Sequence, residues 1–181
     1  NAINPLADYL QDRERDPAFT GFHRIEYGLF AQGSTDGLAA VAGRLVADLG
    51  ALSDRLREAK LGPEDLVSAA ARQAELLAHG RVESGESRYA QADLAEIEAS
   101  FAGIAKVVDL LSPVVSAAAP QAAATAQDRL AAVRRQLTGL RRDGGFPSYE
   151  QIDQAARRAL AHAFQDLAKA ISALLPADGV G

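Results

Sequence analysis

His23 and Glu26 are the residues of this 181-residue chain whose types and spacing most directly invite chemistry. They stand three apart in Thr20-Gly21-Phe22-His23-Arg24-Ile25-Glu26. On a helix surface, side chains at i and i+3 are neighbours, with Cβ atoms roughly 5–6 Å apart, so an imidazole and a carboxylate can converge on one cation. On a helical wheel of about 100° per residue, Ile25, Leu29, Phe22, Glu26, Phe19, Phe30, His23 and Tyr27 follow one another along a continuous arc. The pair is therefore expected inside an apolar face that turns toward the protein interior. Thr20, Gly21, Arg24, Gly28 and Ala31 take most of the other side, where a surface helix would carry its ionisable groups. A carboxylate buried without a partner is strongly disfavoured or takes up a proton. The position asks for a metal, a cation or a hydrogen-bonded network. Spacing alone leaves two readings open: a ligand pair, or a core histidine satisfied by a glutamate.

Composition narrows the chemistry. The chain has no Cys and three His, which excludes disulfides, thiolate-held zinc or iron–sulfur centres and any His-rich site, leaving oxygen and imidazole ligands. A net charge of −5 without a dense basic run offers no surface for tracking phosphates, so nucleic acid is not an expected partner. No apolar run is expected to span a bilayer. The first residue is Asn1, with neither an initiator Met nor a signal-peptide pattern, and the N-terminus is expected to be incomplete or matured by cleavage.

The elements that would hold such a pair are helices. Hydrophobic residues make up 48% of the chain, with abundant Ala and Leu, the profile of a helical bundle. Asp16-Pro17 reads as an N-cap followed by Pro at N1, opening the helix of His23 and Glu26, and Gln32-Gly33-Ser34 closes it. Leu38, Val41, Leu45, Leu49, Leu52 and Leu56 recur at helical spacing. Gly62-Pro63 starts a further helix through Leu66, Ala70, Ala74 and Leu77, with His79 in its last turn as a dipole partner and Gly80 as its stop. Leu94, Ile97, Phe101, Ile104, Val107 and Leu111 mark an amphipathic helix that Ser112-Pro113 is expected to interrupt. Ala126, Leu130, Val133, Leu137 and Leu140 mark the next. The last carries Ile152, Ala156, Leu160, Phe164, Leu167, Ile171 and Leu174, with His162 off the stripe and toward solvent. No strand alternation of useful length is present. The expected fold is all-α, an antiparallel four-helix-bundle type, as a single domain over 1–181.

A second motif, Glu86-x-Arg88-Tyr89-x-x-x-Asp93-Leu94, lies in a polar loop, with Asp93 placed to complement a helix dipole. Together with Gly21-Phe22-His23-Arg24-Ile25-Glu26 it resembles the imelysin-like peptidase family, and within it the EfeO/EfeM-type proteins of bacterial iron uptake. The likeness runs from about Asn4 through the last helix. It implies a periplasmic helical domain, exported as a lipoprotein or soluble protein and touching a membrane only through a lipid anchor. It further implies iron (Fe2+ or Fe3+) or another divalent cation such as Zn or Cu as cargo, with an EfeU-like permease and an EfeB-like haem peroxidase as partners. Carried across, His23 and Glu26 are metal ligands, Glu86 is the distant carboxylate, and Asp8 of Asn4-Pro5-x-x-Asp8 is an acidic group of the same cleft. Asn4, Gly85, Ser87 and Gln91 depart from the acids or histidine that relatives often carry, so the site is expected to be less acidic than usual. The family's first helix is expected to be missing before Asn1, and the cupredoxin-like domain of many EfeO proteins is not expected here, which favours the shorter EfeM-like form.

Metal binding and delivery is the leading function. Carboxylates with one imidazole suit hard or borderline cations. A metal-dependent peptidase is the competing class, but the HExxH arrangement uses two histidines and a separate glutamate base, whereas one histidine is available here. A helical binding or scaffold module with a structural His–Glu pair is the third. Arg88 keeps its proton and cannot ligate a cation, so a salt bridge to a site carboxylate is expected of it. Tyr89 is expected as a loop-locking, hydrogen-bonded tyrosine ahead of a ferric ligand.

Overall fold

The computed structural model describes residues 14–82, 85, 87 and 89–175. The chain forms two compact units, Asn1–Lys60 with Arg88–Ala90, and Leu61–Ser87 with Gln91–Gly181.

In the first unit, α1 (Gly21–Glu26) runs directly into a π-helical turn, Tyr27–Ala31, and is followed by α2 (Leu38–Glu58). Asp16-Pro17 does not open the helix. The Asp16 carboxylate instead accepts the Ala18 N–H at 2.8 Å and its carbonyl accepts the Phe19 N–H at 2.9 Å, a local turn that competes with helix formation. The helix begins only after Thr20, at Gly21 with φ of +78°.

The packing of α1 meets the wheel's expectation for His23 and Glu26, which are mostly covered, but departs from it at the arc's large apolar side chains. Gly21 and Gly28 are buried, while Phe22, Leu29 and Phe30 are exposed. Gly28 faces α2 so closely that a Cβ built on it would stand 2.8 Å from Leu38 Cδ1. A bulkier face could not approach α2 this far. The π turn also carries one more residue per hydrogen-bonded ring than an α-helix, which swings Leu29 and Phe30 off the arc drawn for a regular helix. On α2 only Leu38 and Leu45 are buried, and Leu49, Leu52 and Leu56 are exposed. Six residues of α1 extend about 9 Å against the roughly 32 Å of α2, too short to cover the whole stripe.

The second unit is a four-helix bundle. It is built from α3 (Pro63–Leu76), α4 (Asp93–Ala118), α5 (Pro120–Leu140) and α6 (Gln154–Ser172). Sequence neighbours pack together and α6 returns against α3, closing the ring, the up-down arrangement that short connections impose. Its core contains every stripe position expected for α5, and Leu94, Ile97, Phe101 and Ile104 of α4. Phe101 and Phe164 meet edge-on with ring centroids 6.2 Å apart, and the Asp153 carboxylate caps α6 by accepting the Ala156 N–H at 2.7 Å.

Two helix ends differ from expectation. Pro113 lies inside α4, which continues to Ala118. α3 does not stop at Gly80 but passes into a second π-helical turn, Leu77–Arg81, that contains His79. Leu77 and Ala78 are buried there, so packing carries the chain past the glycine. Among the described residues no β-strand occurs; one isolated bridge joins Arg142 and Gly145.

Candidate functional site

Glu26 is the last residue of α1, and the π turn begins at the next position, a distortion often found at functional sites. His23 and Glu26 converge as their spacing requires. Nδ1 of His23 lies 3.2 Å from Oε2 of Glu26, and the two side chains are only 12% and 13% exposed. The other carboxylate oxygen is engaged differently. Oε1 accepts the backbone N–H of Tyr89 and that of Ala90, each at 2.9 Å. Two successive amides converging on one oxygen form an anion-binding concavity.

Aromatic residues flank the pair. The Tyr89 ring lies 5.1 Å from that of Tyr27, which lies 6.1 Å from that of Phe19. The Tyr89 hydroxyl donates to the Glu14 carboxylate. Tyr89 is thus hydrogen-bonded and half-buried, as expected of a loop-locking residue. All of these residues belong to the first unit.

The arrangement fits a cation. Two donors each about 2.1 Å from a shared ion and 3.2 Å apart subtend about 100° at it, between octahedral and tetrahedral values. The same separation is also the long edge of an ordinary N–H···O bond, so little movement separates the hydrogen-bonded pair from a chelating one. Among the described residues no group of three or more His, Asp or Glu side chains gathers to hold a metal. Glu86 and Asp8, expected as further ligands, and Arg88 lie outside the described residues.

Glu14 and the backbone donors of Tyr89 and Ala90 escaped the sequence reading. Backbone donors carry no residue signature, and Glu14 is one charge among five in Asp12-Arg13-Glu14-Arg15-Asp16. In the second unit Asp93 does more than complement a dipole. It is buried and accepts the Ser87 N–H at 2.8 Å. Ser87 Oγ in turn accepts the Ala92 N–H at 3.1 Å, and Gly85 turns with φ of +70°. His79 and His162 are both exposed.

The family model for imelysin, peptidase M75, matches residues 3–174. This chain belongs to the imelysin family. Among curated relatives of this imelysin-family chain, the iron uptake system component EfeO of Escherichia coli K12 is 32% identical over 173 residues, covering 96% of the chain and 46% of the relative. The EfeO proteins of Escherichia coli O1:K1 and Shigella flexneri match with the same identity and coverage. The chain spans less than half the length of these relatives. The family resemblance carried by the two motifs is therefore shown, and so is the all-α fold it implied.

Proposed function

We propose that this imelysin-family chain binds a metal cation, iron in the first place, through His23 and Glu26, and delivers it within a bacterial iron-uptake system. The observation that carries the reading is the half-buried convergence of Nδ1 and Oε2 at 3.2 Å, in a chain related to iron uptake components. Glu86 and Asp8 are the further oxygen donors that the family resemblance supplies. A neutral imidazole with carboxylates suits Fe2+ and accommodates Zn2+ or Cu2+. The periplasm is the proposed compartment, with an EfeU-like permease and an EfeB-like peroxidase as proposed partners. No peptidase step is assigned to the pair, because it offers one imidazole and no separate base.

Anaerobic Fe2+ titration, with Zn2+ as a surrogate, is expected to give about one equivalent bound per chain, and His23→Ala to weaken affinity at least about tenfold. Equal affinity in the two proteins would overturn the assignment. The two amide bonds at Oε1 favour a second reading, a helical module whose His–Glu pair is only structural. Elemental analysis of unstripped protein separates the two: near-stoichiometric metal supports the first, none the second.

A further inference from the structure

We infer that the Tyr89–Ala90 backbone is a positioning clasp for Glu26, holding its carboxylate so that only Oε2 is presented to a cation beside His23. The inference rests on the metal-binding reading and adds a role for two backbone N–H groups that carry no residue signature in the sequence. Glu26 Oε1 accepts two backbone N–H groups at 2.9 Å each. A carboxylate oxygen has two lone pairs, so both are engaged, and bonds from N–H to an ionised acceptor are among the stronger hydrogen bonds. Oε2 faces Nδ1 of His23 at 3.2 Å. The two oxygens of one side chain therefore have separate tasks.

The division of labour restricts how Glu26 can bind metal. A bidentate carboxylate would need Oε1 to give up both amides, so Glu26 is held monodentate. Without the clasp, a glutamate at the end of a six-residue helix, next to a π turn, would sample several rotamers, and ligation would have to order it. The clasp has done that ordering before the cation arrives. Partners that orient a ligand in this way typically contribute 10–100-fold to metal affinity. The ring contact between Tyr89 and Tyr27 and the hydroxyl bond to Glu14 fix the clasp itself, which explains a tyrosine beside a site it does not need to ligate.

Ala90→Pro removes one of the two N–H donors and leaves the side chains of the site intact, while Ala90→Gly keeps the donor and serves as the control for backbone change. Zn2+ titration is expected to show about tenfold weaker binding in Ala90→Pro and near-wild-type binding in Ala90→Gly, with unchanged far-ultraviolet circular dichroism. Glu26→Asp, whose carboxylate is one methylene too short to reach both His23 and the amides, is expected to lose at least as much. In the metal-free protein, hydrogen exchange at the Tyr89 and Ala90 amides is expected to be slow and to accelerate in Glu26→Ala. Wild-type Zn2+ affinity in folded Ala90→Pro, or equal exchange in Glu26→Ala, would overturn the clasp. Protected amides in a wild-type protein that binds neither Fe2+ nor Zn2+ would overturn the metal-binding reading itself, and with it the clasp's purpose; the exchange data tell that failure apart from the first.

Discussion

Oδ1 of Asp93 accepts the backbone N–H of Ser87 at 2.8 Å, and both residues are only 4% exposed. The bond pins the loop that leads into α4 from within the bundle. Asp93→Ala takes away a charged acceptor from a buried amide, at a cost of about 1–3 kcal/mol. Urea unfolding is expected to show a lower midpoint for Asp93→Ala, with Asp93→Asn recovering part of the loss because an amide oxygen can still accept.

Gly85 sits in the same loop with φ of +70°, and a Cβ there would approach Tyr149 Cδ1 at 3.1 Å and Asp93 Oδ1 at 3.2 Å. An L-residue is strained in that conformation by roughly 1–2 kcal/mol, before the tight contacts are counted. Gly85→Ala is expected to lower the unfolding midpoint. Gly85→Glu, which installs the kind of acid expected in relatives, is expected to lower it further rather than simply to add charge.

Pro113 interrupts the amide ladder inside α4 but not the helix. It is exposed, so replacing it disturbs no core contact. Interior proline is disfavoured relative to Ala by about 3 kcal/mol. Pro113→Ala is expected to raise the thermal midpoint, with a gain of about 1–3 kcal/mol; an unchanged or lower midpoint would mean that the proline shapes a bend the bundle needs.

Phe164 is fully buried against the edge of Phe101. Phe164→Ala is expected to cost about 3–5 kcal/mol, read as a large fall in the denaturant midpoint of the bundle.

Tyr89→Phe keeps the ring beside Tyr27 and the backbone N–H to Glu26 but loses the hydroxyl bond to Glu14. A stability loss of about 1–3 kcal/mol with Zn2+ affinity within a few-fold of wild type is the expected pattern. A collapse of affinity beyond about a hundredfold would instead make the phenol a ligand.

The sequence determined the helices of the bundle and the pairing of His23 with Glu26, because both follow from local periodicity: 3.6 residues per turn sets the stripes of α4, α5 and α6 and puts i and i+3 side by side. The two motifs together were enough to carry the family. Tertiary structure decided which face of α1 is buried. Hydrophobicity favoured Phe22, Leu29 and Phe30, but a close approach to Leu38 is possible only over Gly28, and a π turn shifted the phase that a regular wheel assumes. Tertiary structure also decided what engages Glu26. Its partners at Tyr89 and Ala90 are 63 and 64 positions away and are backbone groups that every residue but proline possesses, so no pattern of side chains along the chain could have announced them.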